Sequence, residues 1–419
     1  MKKILILGGG FAGLSAAYFL SKKFHVTVIE RDKVLGGLAS SFEINGARIP
    51  IGYHHILSKD NNLVYFLRLL GIYDQMQWKH IKMSFWIRGK LYVMTNPKDF
   101  LTLPLSIFDK INFVKFMIRC IVKKDWNSLE YKNAQVWLDD WAGKRIRKEI
   151  FEPLINIKFG LSSSDVSASW LGSRLAQREG SSKFGYLPHG DWTSLIVNKF
   201  EQTIIRNHGK ILKEHPVQKI LVENSRFIGV IAKEKTIKGD IMINTMAVPV
   251  FRRLMPEYND KILDNIEYIS TISVIIGTKR EINDSYWMVF LNPRVSFSGI
   301  FQLTNLNATM HENTVLNIFT NTDQKSKLFK MNDEQILRMY KRDFKRVFKY
   351  ELDILWYKIF RIPNSSPKFS KTYTNPQIKS NIDGMYFAGN YMTYPLVTST
   401  GSAMLSGRKT AEEIMRSEK

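Results

Sequence analysis

The sequence predicts an α/β chain: a dinucleotide-binding domain built on a parallel sheet, and a mixed α+β substrate domain carrying a helical insertion. Three observations predict it. The apolar run Lys3–Leu7 has strand length and leads into Gly8-x-Gly10-x-x-Gly13, a helical stretch over 14–20, a second apolar run over 26–29 and then Glu30. From about residue 61 to residue 183 the texture is mostly helical. After residue 185 a helix and short strands alternate again, and the apolar run over 268–277 begins another sheet.

In the first unit each glycine has its own duty. Gly8 permits the tight turn, Gly10 lets the backbone approach a pyrophosphate, and Gly13 lets helix and strand pack closely. The helix entered through Phe11 and Ala12 turns free N–H groups and a positive dipole end toward the phosphates. Glu30, followed by Arg31, stands about 20 residues downstream, where an acid accepts hydrogen bonds from a ribose diol. Strand, glycine turn, helix, strand and acid together make a dinucleotide fingerprint; the glycines alone would be weak.

Next comes a hairpin over 42–49 around Asn45-Gly46, then a helix over 63–70 stopped by Gly71. A second hairpin over 85–93 turns at Arg88-Gly89-Lys90. Helices are expected over 99–124 and 134–150, with Pro104 and Pro153 as punctuation. A turn over 185–191 and a helix over 193–207 follow, then strands over 209–212, 217–222, 227–233 and 240–244 that read as a return to the nucleotide domain. The remaining elements are a helix over 332–346, a loop-rich link over 363–376, a last strand over 385–389 and a closing helix over 400–416. The nucleotide domain is thus assigned to 1–60, 185–255 and 365–419, and the substrate domain to 61–184 and 256–364.

Composition narrows the partners. A chain of 419 residues holds about two domains. Cys120 is the one cysteine, so an intrachain disulfide and a cysteine metal cluster are excluded, and a reducing cytoplasm fits. The eight histidines show no metal-ligand spacing, so no metal is expected. Met1-Lys2-Lys3 and the apolar run after it resemble a signal peptide, but Gly8-Gly9-Gly10 break that run. The formal charge of +23 admits an anionic partner such as a membrane surface or a nucleotide-sugar, or else reflects a lysine-rich composition. The lysines are dispersed, so nucleic acid is not expected. Over Ile107–Val122 a wide apolar face is bordered by Lys115, Arg119 and Lys123, as in interfacial helices; a helix buried in the substrate domain is the alternative.

The motif residues resemble a family. Gly8-x-Gly10-x-x-Gly13, Val26-x-Val28-x-Glu30 and Gly36-Gly37 are similar to the N-terminal signature of FAD-dependent oxidoreductases of the protoporphyrinogen oxidase, phytoene desaturase and flavin amine oxidase superfamily. Val217-x-x-Ile220 with the segment around Gly229, and Phe387-Ala388-Gly389-Asn390 with Gly401-Ser402-Ala403 and Ser406-Gly407, resemble its middle and C-terminal blocks. The resemblance implies a Rossmann-like, GR2-type FAD domain and coverage of essentially the whole chain. It implies FAD contacts at Gly36, Gly37, Leu38 and Ala39, at the Val217 backbone near the adenine, and at Gly389, Asn390, Gly401, Ser402 and Ala403. Two positions depart from the family. Asn390 stands where Asp or Glu is usual, and Leu38 where a basic residue is common. With no cysteine in the terminal block, the FAD is expected to be non-covalent.

The resemblance also implies that the closing helix points its N-terminus at the flavin, favouring the anionic reduced ring. Tyr53-His54-His55 would pass beside the ring, where His54 or His55 takes a proton or orients a small-molecule substrate, unless both are turn residues. Tyr394 would guide substrate, Arg48 would bind an anionic group, and Trp78, Phe85, Trp86 and Tyr92 would wall a pocket or fill a core. No second glycine fingerprint occurs, so electrons would leave to oxygen, a quinone or another carrier. Relatives of this kind dock on membranes through the insertion, which would make the enzyme cytoplasmic and peripheral on the inner face. The leading reading is removal of hydride from a bulky apolar or amine-bearing substrate by an oxidase or desaturase. The runner-up is a flavin isomerase resembling UDP-galactopyranose mutase. An NAD dehydrogenase and a non-catalytic flavin-stabilised scaffold rank lower.

Overall fold

Five parallel strands, in the order 210–212, 25–29, 3–7, 241–244 and 385–387, make the sheet on which the N-terminal motif sits. The computed structural model describes residues 1–177, 182–291, 295–396 and 398–418. Strand Lys3–Leu7 is apolar on both faces because both faces are covered. Ile4 and Ile6 join the core under helices Phe11–Leu20, Trp192–Arg206 and Thr400–Ser417. Leu5 and Leu7 join the core under a small antiparallel sheet of strands Val217–Glu223, Arg226–Ala232 and Lys235–Lys238. The strands read over 217–233 therefore cap the parallel sheet instead of extending it.

The closing helix lies against the first helix at close range. A Cβ at Gly407 would fall 2.0 Å from the Ala12 carbonyl oxygen, and Ser15 Oγ donates to the Met404 carbonyl (2.8 Å). The Ser406-Gly407 pair of the terminal motif thus serves helix packing at Gly407.

A seven-stranded mixed sheet forms the other half. Its order is 356–367, 268–278, 314–322, 299–302, 287–290, 83–87 and 90–93. Met83–Ile87 pairs in parallel with Trp287–Phe290, so an early hairpin completes a sheet built from late strands. Helix Asp333–Phe348 covers one face. The other face meets Ile49, in the second strand of the first hairpin, Tyr53 just after it, and the helical insertion.

Three sequence expectations change. The helix over 99–124 is divided: a 3-10 turn Pro97–Thr102 precedes helix Ile107–Val122, which Ser106 caps by accepting from Asp109 N–H (3.2 Å). Pro104, lying between them, has no N–H to continue a helix. The helix over 134–150 breaks at Gly143, whose φ is +98°. The link over 363–376 begins inside strand Trp356–Pro367, where Pro363 is tolerated because the strand lies at the sheet edge. Among the described residues no helix is long and apolar enough to cross a membrane.

Candidate functional site

The two outer glycines of the first turn are required by packing and the middle one is not. Gly8 has φ +112°, and a Cβ there would lie 2.5 Å from Thr245 Oγ1. A Cβ on Gly13 would lie 2.1 Å from the Gly8 carbonyl oxygen. A Cβ on Gly10 would meet nothing nearer than Gly37 Cα at 4.0 Å. Gly36 and Gly37 both take positive φ (109° and 56°), and Gly36 N–H donates to the Gly9 carbonyl (2.9 Å). Two glycine turns therefore face each other across an open strip beside Gly10. The helix starting at Phe11 has no side-chain cap and no acid in its first turn, which leaves its positive end for an anion. This arrangement fits a pyrophosphate.

Glu30 is buried and braces the turn: Gly9 N–H donates to Oε2 (2.7 Å) and Asp32 N–H to Oε1 (2.9 Å). Each oxygen retains acceptor capacity for a ribose hydroxyl. His215 N–H donates to the Glu30 carbonyl (2.8 Å), which brings the start of strand Val217–Glu223 to the same end. Phe11, Ala12 and Ala39 are buried, whereas Arg31 and Leu38 are exposed.

The adjacent histidines serve different neighbours. His54 Nε2–H donates to the Leu38 carbonyl (2.9 Å), so this ring holds the Gly36–Gly37 loop. Burial lowers its pKa, against the Leu38 hydrogen bond and the Asp191 charge, so the neutral imidazole is favoured. Asp191, N-cap of helix Trp192–Arg206, accepts from Thr193 N–H (3.2 Å), Ser194 N–H (3.1 Å) and the Ser41 hydroxyl. His55 turns into an aromatic box. Its Nδ1 shares a hydrogen bond with the Tyr286 hydroxyl (3.2 Å), and the rings of Phe301 (5.1 Å), Tyr53 (5.2 Å) and Phe184 (5.3 Å) surround it. Burial pushes the Tyr286 phenol well up, so it stays protonated.

At the C-terminal block Gly389 has φ +144° and its N–H donates to Ser406 Oγ (3.0 Å). Among the described residues the Asn390 side-chain amide makes no hydrogen bond within the chain. Ser399 and Ser402 form a capping box at the closing helix, and Ala403 N–H donates to the Ser399 carbonyl (3.0 Å). Gly401 is small for a neighbouring helix: its Cβ would lie 2.8 Å from Leu63 N and 2.9 Å from Asp60 Oδ1. Tyr394 packs on Phe369 (5.5 Å) and Tyr373 (5.6 Å). Burial, helped by the Glu130 charge and opposed by a hydrogen bond with Ser167, raises its pKa. No described contact joins Tyr394 to either histidine.

The aromatic wall dissolves into separate cores. Trp78 packs with the nucleotide core, Phe85 and Tyr92 with the insertion, and Trp86 with helix Asp333–Phe348, because successive strand residues point to opposite faces. Arg48 is exposed, its Nη1 donating to Ser194 Oγ (3.4 Å). Cys120 is fully buried in the insertion. Among the described residues no three His, Cys, Asp or Glu side chains gather as a metal-ligand set. Sequence reasoning missed Thr245, Asp191 and Tyr286. Asp191 carried a local signal, an acid two residues before a threonine at a helix start. Tyr286 carried none, being brought to His55 across 231 positions.

The sequence profile of the family described as flavin-containing amine oxidoreductases matches residues 11–415. The chain is 22% identical to the 15-cis-phytoene desaturase of Solanum lycopersicum, over 99% of this chain and 78% of that one. It is similar in structure to a provisionally named protoporphyrinogen oxidase from Exiguobacterium sp. 255-15 (TM-score 0.82, 18% identity, 99% of both chains). It is also similar to a reduced UDP-galactopyranose mutase (TM-score 0.74, 16% identity, 99% of this chain and 96% of that one). At such identities the two structures show a shared fold.

Proposed function

The chain belongs to the family of flavin-containing amine oxidoreductases, and from that premise we propose that it binds FAD non-covalently and takes hydride from a bulky apolar or amine-bearing substrate. It is a flavin-dependent oxidoreductase by family; the identity of the dinucleotide, its mode of attachment and the substrate class are this reading. The observation that carries it is the open strip at Gly10, faced by the left-handed Gly36–Gly37 turn and closed off by Gly8 and Gly13.

The first-helix N-terminus and Gly10 would hold the pyrophosphate, Glu30 the ribose, Val217 the adenine end, and Gly36 through Ala39 with Gly389, Asn390 and the start of the closing helix the remainder. A flavin bound there supplies the hydride acceptor. His54 keeps the Leu38 carbonyl, and with it the loop, in place. In the tautomer that accepts from Tyr286 at Nδ1, His55 would turn an Nε2–H toward a substrate lone pair, and the proton released on oxidation leaves to water. Electrons leave to oxygen or a quinone. The burial of Cys120 inside the insertion supports a non-covalent cofactor.

A cytoplasmic enzyme docked on an anionic membrane surface completes the reading. Helix Ile107–Val122 exposes Ile107, Phe108, Ile111, Val114, Ile118, Ile121 and Val122. Lys115 and Arg119, also exposed, border that ridge with the charge that suits anionic lipid.

The test is the visible spectrum of the purified protein followed by heat release and identification of the chromophore. Free FAD in the supernatant supports the reading, and a flavin that stays with the precipitate overturns non-covalent attachment. A colourless protein that FAD does not reconstitute overturns the whole. The mutase alternative rests on likeness of fold alone; turnover of UDP-galactopyranose only after chemical reduction of the flavin would install it instead.

A further inference from the structure

The inner face of the seven-stranded sheet carries a short polar relay, one pair along from the Thr271–Asn321 hydrogen bond (2.7 Å). Ser273 on strand Tyr268–Thr278 and Asn317 on strand Thr314–Thr322 are 1% and 0% exposed. Ser273 Oγ donates to the Ile51 carbonyl (2.7 Å), in the segment that leads to His54 and His55. A serine hydroxyl has one proton. With that proton committed, the contact between Ser273 Oγ and Asn317 Nδ2 (2.9 Å) has the amide as donor.

The relay therefore fixes which end of Asn317 is which. Oδ1 is left as a fully buried acceptor, and among the described residues nothing donates to it. Its neighbours are apolar. Asn317 stands opposite Ile275 on one side and Phe301 on the other. Phe301 and Phe319 both pack on Tyr53 (4.1 and 4.9 Å), and Phe301 faces His55. Asparagine is a poor strand residue, and a buried acceptor without a donor is destabilising. Such a group calls for a partner from outside the chain.

We propose that Asn317 is a specificity-determining residue whose side-chain oxygen accepts a hydrogen bond from an N–H or O–H of the substrate, so that donor-bearing substrates are selected over plain hydrocarbons. The proposal rests on the oxidoreductase reading and sharpens its choice between apolar and amine-bearing substrates. The Tyr53 and Phe301 rings take the apolar body, and Asn317 takes the one donor.

The experiment uses the flavin-loaded protein and three probes of similar size: 4-phenylbutylamine and 4-phenyl-1-butanol, which carry donors, and n-butylbenzene, which carries none. Binding is read from tryptophan fluorescence and from perturbation of the flavin spectrum. The parent is expected to bind both donor-bearing probes about tenfold more tightly than butylbenzene. Asn317→Leu is expected to abolish that preference, to leave butylbenzene binding unchanged or tighter, and to melt no lower than the parent. Asn317→Asp, which keeps an acceptor oxygen, retains the preference for the amine and serves if the leucine variant does not fold. A preference that survives in Asn317→Leu, or no preference in the parent, overturns the proposal. A protein without flavin overturns the cofactor reading separately, since tryptophan fluorescence still reports the probes.

Discussion

Two helices of this chain solve opposite problems. Helix Phe11–Leu20 is buried all round: every residue except Phe19 is shielded, between the parallel sheet and the closing helix. Helix Ile107–Val122 is longer but buries only Phe113, Phe116 and Cys120, and turns a ridge of isoleucine and valine outward. The first helix is finished by the fold and leaves only its N-terminal end for a ligand. The second is unfinished along its length. The difference separates a site that holds something small and charged from a surface suited to something broad and apolar.

The largest test of this comparison lies inside the first turn. Gly13→Ala puts a methyl 2.1 Å from a backbone oxygen and should cost about 3 kcal/mol or more, preventing folding or lowering Tm sharply. Gly10→Val, at φ −76° and with Gly37 Cα 4.0 Å from its Cβ as the one near neighbour, should melt close to the parent yet lose its flavin. Thermal melts beside the ratio of flavin to protein decide it. If Gly10→Val retains flavin with unchanged affinity, the open strip is not the pyrophosphate site.

The second test divides the insertion helix. Phe116→Ala removes a fully buried ring and should destabilise by about 3–5 kcal/mol. The pair Ile111→Glu and Ile118→Glu, on exposed positions, should change stability by less than about 1 kcal/mol. The same pair should abolish sedimentation with phosphatidylglycerol vesicles. Binding that persists, or a large loss of stability, would make the ridge a buried face in the functional assembly.

The nucleotide half was legible in the sequence because its constraints are local. Gly8, Gly10, Gly13 and Glu30 lie within one βαβ unit, and apart from the Thr245 contact at Gly8 their requirements are set inside that unit. The substrate half was not. Met83–Ile87 joins a sheet whose other main strands begin only at Tyr268, and nothing in its own pattern names its partner Trp287–Phe290. Trp86 and Phe85 look like one aromatic cluster in sequence and are placed in two cores by strand alternation. The sequence singled out the histidine pair, but its division between loop and aromatic box depends on Leu38 and Tyr286, neither of which advertises the role.

A smaller effect is expected at His54. Its ring holds the loop through one hydrogen bond, so His54→Ala should weaken flavin binding by about 1 kcal/mol, roughly fivefold. Because burial lowers the folded pKa, the stability that neutral His54 contributes is full above about pH 6.5 and is lost as pH falls through the lower folded value. Flavin retention on gel filtration should therefore decline between pH 6.5 and pH 5 in the parent. His54→Gln, which still offers an N–H to Leu38, should flatten that decline. An unchanged pH profile in His54→Gln would move the titration to another group.

The smallest effect lies at Asp60, where two helices of the nucleotide core meet. This carboxylate caps helix Asn61–Leu69 through Leu63 N–H (3.0 Å) and also accepts from Ser399 Oγ (3.4 Å), at the start of the closing helix. Burial raises its pKa against these hydrogen bonds, with no cation among the causes. A carboxyl raised in the folded chain favours folding when protonated. Its contribution is full below the unfolded value of about 3.9 and is lost as pH rises through the folded value. Asn caps a helix as well as Asp does. Asp60→Asn should therefore be more stable than the parent at pH 7, by less than about 1 kcal/mol, with the gap closing below pH 4. Urea melts at the two pH values measure it. A variant less stable at pH 7 would show that the charge gains more from two helix N-termini than burial removes, and the closing helix would then be held by electrostatics as well as by the close contact at Gly407.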